Sequence, residues 1–67
     1  MTPYNPPKRA IYTPVPGKLR YPVRVTAERQ MFGRHEYEIF SEDDPISRCW
    51  VTVGQDGQQL QFEEGQP

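Results

Sequence analysis

The sequence predicts an all-β fold, a small four-stranded antiparallel meander preceded by an extended proline-rich strap. Three observations carry this. From Pro22 onward apolar and polar residues alternate with a period of two, the signature of half-buried strands. The stretches between these segments hold turn chemistry. Ahead of them, six of the eight prolines fall within the first 22 residues, and proline fixes φ while removing a backbone donor, which excludes a helix there. The reading divides the chain into a strap or arm (residues 1–21), an antiparallel β domain (22–64) and a short tail (65–67).

The strap, with Pro3, Pro6, Pro7, Pro14 and Pro16, is expected to run extended and polyproline-like. The first strand alternates Val23, Val25 and Ala27 with Arg24, Thr26 and Glu28. Met31-Phe32-Gly33 suits a three-residue hairpin loop with Gly33 left-handed, which sets Val25 opposite Ile39 and Ala27 opposite Tyr37. It also sets Glu28 against Glu36, a like-charge conflict that a bulge beside Gly33 or a nearby Arg34 would relieve. The second strand turns Tyr37 and Ile39 inward, and the acidic SEDDP loop leads to a third with Cys49, Val51 and Val53 inward. That register places Phe40 opposite Trp50. Asp56-Gly57 reads as a type I′ turn that returns Leu60 and Phe62 opposite Val53 and Val51.

All three turns agree on one apolar face formed by Tyr37, Ile39, Cys49, Val51, Val53, Leu60 and Phe62. The meander closes toward an SH3-like partly closed barrel if the strap adds a fifth strand. The same register leaves Phe40 and Trp50 together on the outer face beside Arg24, and an aromatic pair on so small a protein calls for a cover. Ile11, Tyr12 and Val15 of the strap have the size to supply it. The alternative is that this face stays open for a partner.

A single cysteine, Cys49, cannot form an internal disulfide, and no apolar run is long enough to span a bilayer. A cytoplasmic protein is the expectation, with no membrane association. The net charge of −1 hides a segregation: residues 1–35 hold seven Lys/Arg against one acid (+6), residues 36–67 one Arg against eight acids (−7). The two halves are expected either to neutralise each other across strands or to leave a basic arm for an anionic partner.

Catalytic chemistry finds little material. His35 and Glu36 are adjacent on a strand and point apart, so they form no dyad by themselves. Cys49 is expected to face the core and be inert. The Glu42-Asp43-Asp44 cluster reads as a solvated acidic loop rather than a metal site, and no phosphate-binding glycine loop or cofactor motif is present. The expectation is a non-enzymatic binding, adaptor or inhibitor protein acting on a macromolecule, with a protein partner contacted through Arg24, Phe40, Trp50 and Tyr12. Pro3-Tyr4-Asn5-Pro6-Pro7-Lys8 also has the PxxPx(+) spacing of polyproline ligands, a weak match. A homodimer formed through the last strand as an open edge, or through the Phe40/Trp50 face, is a further expectation. The alternative is a small nucleic-acid-binding β-barrel in which Lys8, Arg9, Lys18, Arg20 and Arg24, interleaved with tyrosines, follow a phosphate backbone. A third reading places an enzyme site with His35 or Tyr37 at an oligomer interface.

Overall fold

The computed structural model describes residues 1–54 and 57–63. Five strands run through them: β1 (Thr2–Val15), β2 (Leu19–Met31), β3 (Arg34–Ser41), β4 (Asp44–Thr52) and β5 (Gln59–Phe62). They form one antiparallel sheet in the order β4-β3-β2-β1-β5. The fold is therefore all-β. The four strands read from the alternation are β2 to β5, and the proline-rich segment supplies the fifth.

That segment does not lie across a face. β1 is paired on both sides, with β2 along one edge and β5 along the other. The reason is local. Lys8–Thr13 contains no proline, and this stretch makes the regular ladder. Upstream, the register jumps from Pro3↔Ala27 to Lys8↔Val25, so Tyr4, Asn5, Pro6 and Pro7 bulge out opposite Thr26 alone. Pro6 and Pro7, which cannot donate to a ladder, thus fall where none is made. Pro16-Gly17 makes the β1–β2 turn, with the Lys18 N–H donating to the Val15 carbonyl at 3.0 Å and Gly17 at φ 77°, the type II pattern. The boundary drawn at residue 21 thus falls inside β2, and residues 65–67 lie outside the described part of the chain.

The β2–β3 hairpin corrects the three-residue loop. Met31 pairs with Arg34 around a two-residue turn, with Phe32 at φ 52° and Gly33 at φ 78°, the geometry of type I′. A bulge at Thr26–Ala27 gives the missing residue back. Val25 meets Ile39 as expected, but Ala27 meets Glu38 and Glu28 meets Tyr37. Glu36 then faces Arg29, whose Nε lies 2.8 Å from Oε1, so the like-charge conflict is replaced by an ion pair. Thr26 fills the bulge, its Oγ1 lying 2.9 Å from the Glu38 carboxylate and 3.2 Å from its carbonyl.

Between β3 and β4 the register differs by two residues from the expected one. Phe40 meets Arg48, Ile39 meets Cys49 and Tyr37 meets Val51. The tight turn closes at Ser41↔Asp44, and Pro45, Ile46 and Ser47 form an excursion on the exposed edge before the ladder resumes at Arg48. An even shift leaves every side chain on its expected face.

β4 and β5 are not neighbours, so the pairs Val53/Leu60 and Val51/Phe62 do not form. Of the expected Asp56-Gly57 turn, Asp56 lies outside the described residues. The chain leaves β4 with the Gly54 N–H donating to the Gln58 carbonyl at 2.9 Å, then enters β5 at the opposite edge. So short a connection requires the sheet to coil until its two edges approach. The result is a partly open barrel, unsealed between β4 and β5.

Inside the coil lie Ala10, Tyr12, Val23, Val25, Tyr37, Ile39, Val51 and Phe62, with Tyr4, Tyr21, Val53 and Leu60 packed against them. Cys49 is the exception among the residues expected inward: it is exposed. It faces inward from an edge strand beside the Pro45–Ser47 excursion, and no strand seals the barrel on that side. Among the described residues no helix is long and apolar enough to cross a membrane.

Candidate functional site

The outer face of the sheet gathers arginines and aromatics because cross-strand partners share a face. Arg9 lies opposite Arg24, Arg24 opposite Phe40 and Phe40 opposite Arg48, a single row across β1 to β4. Trp50 sits two residues along β4 from Arg48, opposite Glu38. Both aromatics are half-buried. Their cover comes from arginine side chains rather than from the N-terminal segment. The Arg29 guanidinium stands 3.9 Å from the Trp50 ring centroid, and that of Arg48 stands 5.6 Å from Phe40. Such contacts are worth about 0.5–1 kcal/mol at exposed sites.

Counter-charges hold the arginines in place. Arg24 Nε donates to Glu42 Oε2 at 3.0 Å and Arg29 Nε to Glu36 Oε1 at 2.8 Å, while the Thr52 hydroxyl donates to the other Glu36 oxygen at 3.2 Å. The Glu36 carboxyl is held below its ordinary range, first by the hydrogen bond from Arg29. Of the four residues expected to contact a partner, Arg24, Phe40 and Trp50 come together here and Tyr12 does not. Tyr12 is core, 6% exposed, with its hydroxyl donating to Gln58 Oε1 at 3.0 Å. Burial pushes its phenol up.

Beside this face, the Tyr4–Pro7 excursion and the end of β5 enclose a cleft of about 570 Å³. Lys8, Arg9 and Arg24 line it together with Glu63, Phe62 and the prolines. The Lys8 ammonium stands 5.0 Å from the Tyr4 ring centroid, and Arg9 Nη1 is 3.9 Å from Glu63 Oε1. Lys18 and Arg20 sit apart from these three, at the β1–β2 turn. The five basic residues considered for nucleic acid are thus split between the middle of β1 and the β1–β2 turn. The PxxPx(+) segment belongs to the wall of this cleft and is not a free end.

A third cluster was not legible in the sequence. The Tyr4 hydroxyl donates to Glu28 Oε1 at 2.9 Å and His35 Nε2 to Glu28 Oε2 at 2.6 Å. The His35 ring stacks on Tyr37, centroids 4.7 Å apart. His35 and Glu36 do point apart, as expected, but the partner of His35 comes diagonally from β2. The two-residue turn and the bulge together bring Glu28 within reach, and the local pattern signals neither. Hydrogen bonds from His35 and then Tyr4 hold the Glu28 carboxyl below its ordinary range; burial, then Glu28, pushes the Tyr4 phenol well above its own. Both Glu28 oxygens already accept from protein donors, so the arrangement acts as a clamp joining β1, β2 and β3. Among the described residues no three His, Cys, Asp or Glu side chains are grouped to hold a metal ion.

Searches of protein-family models, curated proteins and solved structures give no match to this chain.

Proposed function

We propose that this chain is a non-enzymatic binding module that docks a protein partner on the outer face of β2, β3 and β4, with Arg24, Phe40 and Trp50 as contact residues. The observation behind this reading is their adjacency: two half-buried aromatics and an arginine on one face, where arginine side chains stand over the rings. Aromatic and arginine side chains of this kind anchor protein interfaces. The strand order and the coiled, unsealed sheet support reading the domain as an SH3-like barrel, an analogy of architecture that assigns no ligand. A reducing, cytoplasmic setting suits the exposed thiol of Cys49.

Nucleic-acid binding is the second reading, favoured by Lys8, Arg9 and Arg24 around one cleft. It is weakened by the distance of Lys18 and Arg20 from that cleft and by the carboxylates already beside Arg9 and Arg24.

Affinity capture with the wild-type chain and with Phe40→Ser and Trp50→Ser variants, each first shown folded by circular dichroism, tests the proposal. Proteins retained by the wild type should be lost from both variants. Equal recovery by all three refutes the face. Sedimentation of the same proteins separates a second copy of this chain from a different partner. Anisotropy with a labelled oligothymidylate at rising salt decides the nucleic-acid reading, whose affinity must fall steeply with salt.

A further inference from the structure

We infer that the cleft between the Tyr4–Pro7 excursion and the end of β5 is an anion-recognising subsite of this docking face, and that the partner occupies it with an acidic peptide segment. The inference rests on the protein-docking reading and names the chemistry of the partner.

The cleft has the volume of a ligand site, about 570 Å³. Among the described residues, three cations line it against one carboxylate, Glu63. Arg9 and Arg24 are directly opposed across the β1–β2 ladder, a like-charge juxtaposition that disfavours the sheet unless an anion lies near both. Among the described residues, two carboxylates meet this need incompletely. Glu42 takes Arg24 Nε from the side, and Glu63 reaches Arg9 only at 3.9 Å with both side chains more than half exposed. An exposed pair at that distance is weak and open to exchange. The guanidinium fork matches a carboxylate in bidentate geometry, which favours an incoming Asp or Glu side chain.

The same walls disfavour a nucleotide. A base needs an open aromatic face, yet Lys8 stands over the Tyr4 ring and the edge-to-face partner of Tyr4, Phe62, is 8% exposed. Continuity then fixes the shape of the ligand. Arg24 belongs both to the cleft and to the row leading to Phe40 and Arg48. Three strand spacings separate Arg9 from Arg48, about 14 Å, the span of roughly four extended residues. The fitting segment carries acidic residues followed about four positions later by an apolar or aromatic one.

The probe is a fluorescein-labelled peptide, Gly-Glu-Glu-Ser-Ala-Leu-Phe-Gly, followed by anisotropy at about 0.1 M salt, where screening reaches only ~10 Å. Binding is expected, weakened about fivefold or more by Arg9→Gln and by Lys8→Gln, and separately by Trp50→Ala. If Trp50→Ala weakens it while Arg9→Gln and Lys8→Gln do not, the docking face stands and the anion subsite is overturned. If only the cleft variants weaken it, the subsite stands and the aromatic face falls. Failure of the wild type to bind, a lysine-for-glutamate peptide binding equally well, or an oligothymidylate binding more tightly each overturns the acidic-peptide assignment.

Discussion

Phe62→Ala is the substitution on which the closure of the barrel depends most. β5 contributes four residues, and Phe62 is the one of them that is buried, with Leu60 packed beside the core and a four-pair ladder to β1. Phe62 is 8% exposed and lies edge-to-face with two rings, Tyr4 at 6.2 Å and Tyr37 at 5.6 Å between centroids. Truncating a buried phenylalanine costs about 3–5 kcal/mol, of which each aromatic pair supplies about 0.5–1.5. A domain of this length has a total stability of roughly 3–10 kcal/mol, so the loss takes a third of it or all of it.

Urea unfolding followed by Trp50 emission measures the effect, with Phe62→Leu as the control that keeps most of the volume. At a slope of about 1 kcal/mol per molar urea, Phe62→Ala lowers the midpoint by about 3 M or abolishes the transition, and Phe62→Leu lowers it by about a third as much. Two-dimensional NMR of the Leu variant should show ring signals of Tyr4 and Tyr37 moving together, since Phe62 touches both. A midpoint for Phe62→Ala within about 0.5 M of wild type refutes the argument, because β5 would then be dispensable to the core.

Three further outcomes follow from other parts of the molecule. Glu28 and Glu36 both ionise below their ordinary value of 4.5 in the folded chain, so their contribution is complete above that value and is lost as pH falls through the folded one. The urea midpoint should fall below about pH 4.5, and less steeply in Glu36→Gln; a midpoint that rises on acidification contradicts this. Phe32 is a left-handed residue with no packing to justify it, at φ 52° and 89% exposed, so Phe32→Asn should raise stability by about 0.5–1 kcal/mol in the same assay, and a loss would show that its ring is needed. Cys49 should react stoichiometrically with a thiol reagent in the folded protein; protection until urea is added would place it in the core after all.

The alternation of apolar residues made β2 to β5 legible, and with them the inward set from Tyr37 to Phe62, because facing depends only on local periodicity. Even a two-residue error in the β3–β4 register left these faces intact. Pairing partners were another matter. The prolines of β1 argue against a strand when counted together, yet the ladder uses Lys8–Thr13, which has none. Asp56-Gly57 favours a local hairpin, while the coil of the whole sheet offers β5 a longer-range partner in β1. The candidate site followed the same division. Arg24, Phe40 and Trp50 share a face by parity and could be grouped in advance. The Glu28–His35 clamp and the Arg29–Glu36 pair depend on the bulge at Thr26–Ala27, which no residue there announces.

The charge segregation along the chain has a structural consequence that bears on the partner. Antiparallel pairing sets β2 beside β3 and β1 beside β5, so Arg9, Arg24 and Arg29 meet Glu63 just past β5, Glu42 just past β3, and Glu36 within β3. Three cross-strand pairs thus offset part of the segregation, and a chain of net charge −1 offers a long polyanion little long-range attraction. What survives is local: arginines whose positions the strand register sets, with Arg24 and Arg29 each held by a carboxylate through Nε. Positioned groups of this kind discriminate by geometry over a few ångströms rather than by accumulated charge. That argues for a short acidic peptide over a nucleic-acid backbone, and for binding whose salt dependence is shallow.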